Sequence, residues 1–240
     1  MEDDGFTLVT GKKAAKLGFK KTATGAHIRV DGLLEDIEKA MEAGKTAILK
    51  TRLGIWLTQK LQESVETTGK SIKQIFLIGN GHFDRPDQPG THQLALFLEV
   101  SRIFDAEVVF QEPACSQAEF QWLDKQKNLK IRKTPDTQLK IDENPENLTI
   151  LAMIHGEHEI LQAILEYNWP KLTESNNLIV IGNNYGGVDW TISKLSRENG
   201  RINEFFEKSR ILHFPEVYEP HSSAFSSTVV MFSIDNDNKC

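Results

Sequence analysis

Glycines, histidines and an acid follow four apolar runs of the chain, and these are the residues that could take part in chemistry. The runs, at residues 72–78, 107–111, 148–154 and 178–182, are predicted strands. In an open α/β sheet, ligands bind beyond the carboxyl ends of the strands, so residues at those positions can form a pocket. The candidate ligand pocket consists of Gly79, Asn80, Gly81, His82, Glu112, His155 and Asn183.

Gly79 and Gly81 form half of the Gly-x-Gly-x-x-Gly pattern that binds dinucleotide phosphates. The third glycine is missing, and Pro86 and Pro89 come before the next predicted helix, which begins only at Thr91. A phosphate could therefore not lie directly on the N-terminus of that helix. A tight turn that needs glycine for its backbone conformation is the favoured interpretation, with a nucleotide pocket as the alternative.

Two acids near the second strand have different predicted roles. Glu112 ends that strand, where dinucleotide-binding folds place an acid that binds a ribose hydroxyl. A solvated acid before Pro113 is the alternative. Ser116 and Glu119 fit a capping box, in which the Glu119 carboxylate accepts the N–H of Ser116. A structural role is therefore favoured for Glu119 over a catalytic one.

His155 and His158 lie in the sequence His-Gly-Glu-His-Glu, which suggests a metal or haem site. They are separated by a strand–helix turn and no cysteine is near, so we predict no metal there. Hydrogen bonding or acid–base chemistry by His155 is the favoured role, and haem contact through either histidine is a further hypothesis. Cys115 lies among acids, which argues against a lowered pKa of its thiol.

The composition is that of a globular protein, and it disfavours nucleic acid and membranes as partners. Of the 240 residues, 39% are hydrophobic and 26% are charged, with a net charge of −6. This balance disfavours nucleic acid, because phosphate backbones are bound by clustered Lys and Arg. No segment has the apolar length of a membrane helix, the acidic start is unlike a secretory signal, and two cysteines favour a reducing compartment. No motif identifies a cofactor.

The spacing of apolar residues predicts helices before and between the strands. Asp31 is a candidate cap for a helix that ends near Gly44, and a second helix stops near Gly69. Pro170 should end a later helix at Trp169. The remaining predictions are helices at 91–104, 116–125 and 157–167, a weak strand at 129–132, a frayed helix at 189–209 and a last strand at 228–234.

Strands that are apolar throughout are buried on both faces, which is typical of parallel strands covered by helices. We therefore predict an α/β fold, a doubly wound, mostly parallel Rossmann-like sheet of about five strands with an N-terminal helical lead-in. Residues 1–26 are predicted to be a flexible tail, 27–234 a single α/β domain, and 235–240 a polar tail.

Short motifs in a fixed order resemble a known family over about residues 72–232, the Sensitivity to Red light Reduced-like proteins of eukaryotes. The motifs are Ile78-Gly79-Asn80-Gly81-His82-Phe83, Gln93-Leu94-Ala95, Glu112-Pro113 with Glu119, Ile154-His155, Asn168-Trp169, Ile181-Gly182-Asn183, and Phe225 with Thr228. The start, residues 4–9, is similar to the aromatic-Thr-Val-Val opening of that family.

The chain departs from the family pattern at four places. His92 stands where the family usually has Tyr, and Glu112 where it has Asp. A Pro-His-Cys motif appears as residues 154–156, Ile-His-Gly, and a Phe-Asn-Asp-Thr motif as residues 225–228, Phe-Ser-Ser-Thr. This chain therefore lacks that Cys and that Asp, whereas His155 and an acid at position 112 are retained.

The resemblance implies a regulatory protein that acts through protein partners or a small ligand. It implies roles in circadian and light signalling, or in haem biosynthesis and cytoskeletal regulation, with a cytoplasmic location and the nucleus as a second compartment. The residues themselves support an alternative, an enzyme or sensor that binds a nucleotide or an S-adenosylmethionine-like ligand, with Glu112 on the ribose and the Gly79–Gly81 turn beneath it.

Overall fold

The computed structural model describes residues 19–21, 27–188, 200–214 and 217–233. Most of the predicted N-terminal tail, the first part of the predicted helix at 189–209 and the C-terminal tail lie outside these residues. The described helices are α1 (Leu34–Lys50), α2 (Arg52–Thr68), α3 (Pro89–Phe104), α4 (Gln117–Leu123), α5 (His158–Ser175) and α6 (Gly200–Glu207). The described strands are β1 (Phe19–Lys21), β2 (His27–Arg29), β3 (Ser71–Ile78), β4 (Glu107–Gln111), β5 (Leu129–Arg132), β6 (Asn147–Met153), β7 (Leu178–Asn183), β8 (Ser209–His213) and β9 (Thr228–Ser233).

Seven of these strands form one sheet in the order β5-β4-β3-β6-β7-β9-β8. The first five are parallel, whereas β9 is antiparallel to both β7 and β8. The predicted mostly parallel, doubly wound sheet is thus confirmed, with seven strands instead of about five. β1 and β2 form a separate antiparallel hairpin, and its first strand lies inside the predicted N-terminal tail.

Alternate residues of the central strands face opposite sides of the sheet, which is why those strands are apolar throughout. In β3, Ile75 and Leu77 belong to a core with α1, α2, α3 and α4. Phe76 and Ile78 belong to a second core with α5 and α6. The helical lead-in therefore packs on one face of the sheet, as the sequence predicted.

The polar loop between β5 and β6 crosses the second face of the sheet without a helix. Leu139 and Ile141 of this loop are buried in the second core. Asn168 of α5 fixes the crossing, because its amide donates to the carbonyl of Leu139 at 2.8 Å and accepts the N–H of Ile141 at 3.0 Å. This contact gives the Asn168-Trp169 motif a structural role.

The start of α1 differs from the prediction. Asp31 lies before the helix and pairs with Arg29 instead of capping. Asp36, inside the first turn, accepts the N–H of Leu33 at 2.9 Å and so satisfies a donor that the helix leaves unpaired. Gly44 lies inside the helix and not at its end, because α1 continues to Lys50.

The predicted end of α5 at Trp169 is also wrong. The helix continues through Pro170 to Ser175 and ends at Asn176, which has a left-handed backbone conformation. The N–H of Asn176 donates to the carbonyl oxygen of Leu172, with 3.3 Å between nitrogen and oxygen. An internal proline costs about 3 kcal/mol. Burial of Leu172 in the second core offsets that cost.

β8 was missed because its apolar signal is weak and falls at the end of a segment predicted to be helical. Residues 200–209 of the predicted frayed helix contain α6 and the first residue of β8, and residues 189–199 lie outside the described chain. β8 is an edge strand with partly exposed side chains, and it forms by pairing with β9. Within the described residues, no helix is both long and apolar enough to cross a membrane.

Candidate functional site

The strand order changes direction between β3 and β6, at the centre of the parallel sheet. From β3 the chain continues through α3 to β4 on one side, and from β6 it continues through α5 to β7 on the other. The two connections lie on opposite faces, so the loops at the carboxyl ends of β3 and β6 diverge and leave a crevice between them. The predicted pocket residues lie along this rim.

The turn that follows β3 has an open surface. Gly79 and Gly81 have φ angles of 68° and 70°, a left-handed conformation that side chains with a Cβ rarely adopt. A Cβ built on either glycine would have no other atom within 4 Å. The backbone at this point of the rim is therefore exposed to any molecule that binds there, and both glycines are required by the turn, as predicted.

Glu112 holds this turn from the end of β4. Its carboxylate accepts the N–H of Gly81 at 2.8 Å and the N–H of Ala114 at 2.9 Å, and the side chain is buried. The alternative of a merely solvated acid is thus excluded. A carboxylate can accept about four hydrogen bonds, so acceptor capacity remains for a ligand hydroxyl.

Glu119 connects the loop after β3 with the start of α4. The predicted capping box is present, with the N–H of Ser116 donating to Glu119 at 2.7 Å. The same carboxylate accepts the N–H of Phe83 at 2.7 Å and lies 2.9 Å from Nδ1 of His82. Burial alone would raise the pKa of Glu119, but the hydrogen bonds from His82, Ser116 and Phe83 lower it below its ordinary value. The buried carboxylate is therefore held in its charged form.

His155 and Asn183 lie on the other side of the crevice, at the ends of β6 and β7. Nε2 of His155 is 2.8 Å from the carbonyl oxygen of Ser226. The amide of Asn183 donates to the carbonyl of Gly156 at 2.9 Å. β3 and β6 are neighbouring strands, so these residues and the Gly79–Glu112 group lie side by side on one rim.

His158 and Tyr185 form a third contact at this side of the rim. Nδ1 of His158 is 3.1 Å from the hydroxyl of Tyr185. Burial raises the pKa of Tyr185 to about 12, which keeps the phenol protonated at neutral pH. His155 and His158 each already use one ring nitrogen, and the described residues contain no cluster of three or more groups that could hold a metal ion.

Asp84 is a buried acid that the sequence did not single out. Its Oδ2 accepts Nη2 of Arg29 at 2.6 Å and the N–H of Gly32 at 2.6 Å. These bonds fix the segment after β2 against the loop after β3. Arg29 and Asp84 are more than fifty residues apart in the chain, and Asp84 lies in a polar loop. Sequence spacing could therefore not reveal that they pair.

The Gln-Leu-Ala motif of α3 anchors the loop that precedes β9. The amide of Gln93 donates to the carbonyl of Ala224 at 2.7 Å. His92, which replaces the usual tyrosine, lies 2.9 Å from the hydroxyl of Tyr218 and 2.9 Å from the carbonyl of Pro86. Burial lowers the pKa of His92, so the neutral ring bridges two loops.

Cys115 lies beside the acids of the rim. Burial is the main cause of its raised pKa, and the nearby charges of Glu119 and Glu112 raise it further. Its thiol therefore stays protonated at neutral pH, in agreement with the sequence prediction that it is not an activated nucleophile.

A family model described as the SRR1 domain matches residues 57–232 of the chain. The chain belongs to the SRR1 domain family. The match begins inside α2 and ends in β9, so it includes residues of all seven strands of the sheet and starts earlier than the resemblance over about residues 72–232. None of the curated proteins compared matches the chain.

Solved structures with similar folds have low sequence identity. A SAM-dependent methyltransferase from Aquifex aeolicus is 14% identical, with a TM-score of 0.38, over 82% of this chain and 96% of that one. The TDP-rhamnose 3'-O-methyltransferase CalS11 of calicheamicin biosynthesis is 12% identical, with a TM-score of 0.41, over 84% and 94%. An uncharacterized protein from Listeria monocytogenes is 13% identical, with a TM-score of 0.37, over 72% and 66%. At these values the likenesses say nothing about what this chain binds.

Proposed function

We propose that the chain binds a nucleoside-containing small molecule, of the S-adenosylmethionine type, at the rim between β3 and β6. The observation that supports this most directly is the turn at Gly79 and Gly81. It lies at the change in strand direction, where open α/β sheets bind ligands, and the space above both glycines is open.

Glu112 has the position and the chemistry to contact the sugar. It ends the strand next to β3, and its carboxylate is fixed in direction by the N–H groups of Gly81 and Ala114. Because this carboxylate is already held in place, it can accept a hydrogen bond from a ribose hydroxyl without a further loss of side-chain conformational entropy on binding. His155 and Asn183 border the other side of the crevice, where the remainder of the ligand would lie.

Thermal shift tests this proposal with S-adenosylmethionine, S-adenosylhomocysteine, ATP and NAD. A ligand present at a hundred times its dissociation constant stabilises the folded state by about 2.7 kcal/mol. We expect stabilisation by at least one of the adenosyl compounds. If none of the four raises the melting temperature at millimolar concentration, the proposal is wrong.

The chain offers a matched pair of glycines that locates the binding site. Gly79 and Gly69 both have a φ of 68°, and a Cβ on either would have no other atom within 4 Å. Asn tolerates this left-handed conformation, so Gly79→Asn places a side chain over the proposed site at the carboxyl end of β3. Gly69→Asn makes the same change at the amino end. We expect only Gly79→Asn to abolish the ligand shift, and equal shifts in both variants would contradict the site.

A regulatory role through a protein partner is a second proposal, and family membership supports it. Leu49, Ile55 and Ile103 are 51%, 56% and 41% exposed, and all three line a groove of about 240 Å³ between α1, α2 and α3. Exposed apolar side chains grouped in this way are typical of protein-binding surfaces. Circadian and light signalling, or haem biosynthesis and cytoskeletal regulation, in the cytoplasm and nucleus, are the roles we propose for it.

The partner proposal is tested by capture of proteins from an extract of the source cells. Leu49→Glu should remove a captured protein that the wild type retains, because a charge in the groove must be desolvated on binding. Leu33→Glu is the control, since Leu33 is 72% exposed just before the same helix but does not line the groove. Capture that is unchanged by Leu49→Glu would rule out this groove.

A further inference from the structure

Three of the described helices begin around the proposed nucleoside site. They are α3, α4 and α5, which follow β3, β4 and β6. The N-terminus of a helix is a ready site for phosphate, because its first N–H groups have no partner in the helix and the helix dipole is positive there. Whether these three termini are open to a ligand therefore determines whether the ligand can carry a phosphate.

The N-terminus of α3 is covered by the loop that follows β3. A Cβ built on Gly90, the second residue of the helix, would lie 2.5 Å from the carbonyl oxygens of both Asn80 and His82. The side-chain amide of Asn80 donates to the carbonyl of Gly90 at 3.1 Å and holds the loop in this place. Two carbonyl oxygens therefore lie against the first turn of α3, where a phosphate would need N–H groups.

The N-termini of α4 and α5 carry acidic side chains of the protein. In the capping box of α4, the hydroxyl of Ser116 accepts the N–H of Glu119 at 3.2 Å, and the Glu119 carboxylate accepts the N–H of Ser116. In α5, Glu157 is the N-cap residue and Glu159 lies in the first turn. Carboxylates at these positions complement the helix dipole. A phosphate at either terminus would therefore meet negative charge.

The loops that border the crevice have an excess of negative charge. Residues 79–88, 112–119, 154–159 and 183–188, which follow β3, β4, β6 and β7, contain one Lys or Arg, which is Arg85, and six acids: Asp84, Asp87, Glu112, Glu119, Glu157 and Glu159. The guanidinium of Arg85 donates to the carbonyl of Val30 at 3.2 Å. Arg29, which approaches from β2, is paired with Asp31 and Asp84. A crevice lined mainly by one sign of charge repels ligands of the same sign.

We propose that this site binds a nucleoside without a phosphate group and excludes nucleotides. The proposal rests on the proposed nucleoside site and narrows its ligand to an uncharged or cationic compound, such as adenosine or a sulfonium nucleoside. A ribose hydroxyl needs only a hydrogen-bond acceptor, which Glu112 supplies. A phosphate needs donors or cations, and the described rim offers it the oxygen atoms at the three helix N-termini instead.

Adenosine and AMP test the proposal, because they differ only in a phosphate that carries about two negative charges at neutral pH. Isothermal titration calorimetry of the full chain at low and high salt measures both dissociation constants. We expect adenosine to bind at least about tenfold more tightly than AMP at low salt, and salt to reduce this ratio because it screens the repulsion.

Equal or tighter binding of AMP overturns the proposal and leaves the proposed nucleoside site intact. A ratio that does not change with salt contradicts its electrostatic cause. Binding of neither compound also overturns it, and the thermal shift with S-adenosylmethionine and S-adenosylhomocysteine then decides separately whether the nucleoside site exists.

Two pairs of exposed glutamates locate the repulsion. The double variant Glu157→Gln, Glu159→Gln removes two negative charges from the rim at the start of α5. The double variant Glu63→Gln, Glu66→Gln makes the same change near the end of α2, which leads to the amino end of β3. We expect the first to bind AMP about threefold more tightly than the wild type, with adenosine binding unchanged, and the second to change neither. Equal effects of the two double variants, or no effect of the first, contradict the proposal.

Discussion

Three buried carboxylates hold the loop that follows β3. Asp84 belongs to this loop, and Glu112 and Glu119 lie beside it. Asp84 accepts from Gly32, Glu112 from Gly81, and Glu119 from Phe83. Hydrogen bonds to a charged acceptor are stronger than neutral ones, and their loss inside a protein leaves donors unpaired. The acids of the rim thus fix the shape of the loop on which the proposed nucleoside site depends.

Glu119→Gln should destabilise the protein by about 2–3 kcal/mol at pH 7. In the variant, one carboxylate oxygen is replaced by an NH2 group, which cannot accept a hydrogen bond. This group would face the N–H of either Phe83 or Ser116, each of which now donates to Glu119. Urea denaturation of both proteins measures the difference. A loss below about 0.5 kcal/mol, the usual effect of a surface change, would contradict the connecting role of this carboxylate.

The pH dependence of the Glu119 contribution follows from its lowered pKa. The group titrates near pH 4.3 in an unfolded chain and at a lower pH in the folded one, so its stabilisation is complete above about pH 4.3 and is lost as pH falls through the folded pKa. The difference in unfolding free energy between the wild type and Glu119→Gln, measured by urea denaturation, should therefore shrink as the pH is lowered below about 4.3. Glu99→Gln is the control, because Glu99 pairs with the exposed Arg102 and its smaller contribution is screened by salt.

At the scale of the elements, Gly44 shows how α1 is placed against α3. A Cβ built on Gly44 would lie 3.0 Å from Cγ2 and 3.1 Å from the carbonyl oxygen of Thr91. The glycine lets the two helices approach closely, and this packing extends α1 past the point where the sequence predicted its end. Since α3 begins directly after the rim loop, the contact also supports the candidate site.

Gly44→Ala should lower stability, although an exposed Gly→Ala change in a helix gains about 1 kcal/mol. The added methyl group overpacks the interface, which costs about 1–3 kcal/mol. Thr91→Ser removes the nearest methyl group and keeps the hydroxyl that donates to the carbonyl of Arg85. Chemical denaturation of the four proteins of this double-mutant cycle should show a positive coupling, with the double variant more stable than additivity predicts. Strict additivity would mean that Cγ2 of Thr91 is not the atom that limits the approach of the two helices.

The other element-scale differences have the same origin. α5 continues through Pro170 because Leu172 is buried against the sheet, and β8 forms because β9 offers an edge. Both depend on contacts with other elements of the fold, which local propensity does not describe. Local propensity predicted a stop at the proline, where a tertiary contact outweighed it, and it correctly predicted a helix over residues 200–207 but not the strand that follows it.

At the scale of the whole molecule, the sheet brings the motifs of the family to one rim. The glycine turn after β3, the acid after β4, and His155 and Asn183 follow parallel strands that are neighbours in the order β4-β3-β6-β7. Gln93 and Asn168 have another role, since they fix the loop before β9 and the crossing loop before β6. The ordered motifs therefore divide into residues that border a pocket and residues that hold the loops around it.

The sequence by itself determined the layered α/β fold, the parallel centre of the sheet and the rim that carries the candidate residues. These depend on local patterns, because apolar runs mark strands that are buried on both faces and three- and four-residue spacing marks helices. Only the tertiary structure decided the antiparallel placement of β9 beside β7, the Arg29–Asp84 pair and the contacts of Glu119 with His82 and Phe83. Each of these is formed by residues far apart in the chain, and no local pattern encodes which of them meet.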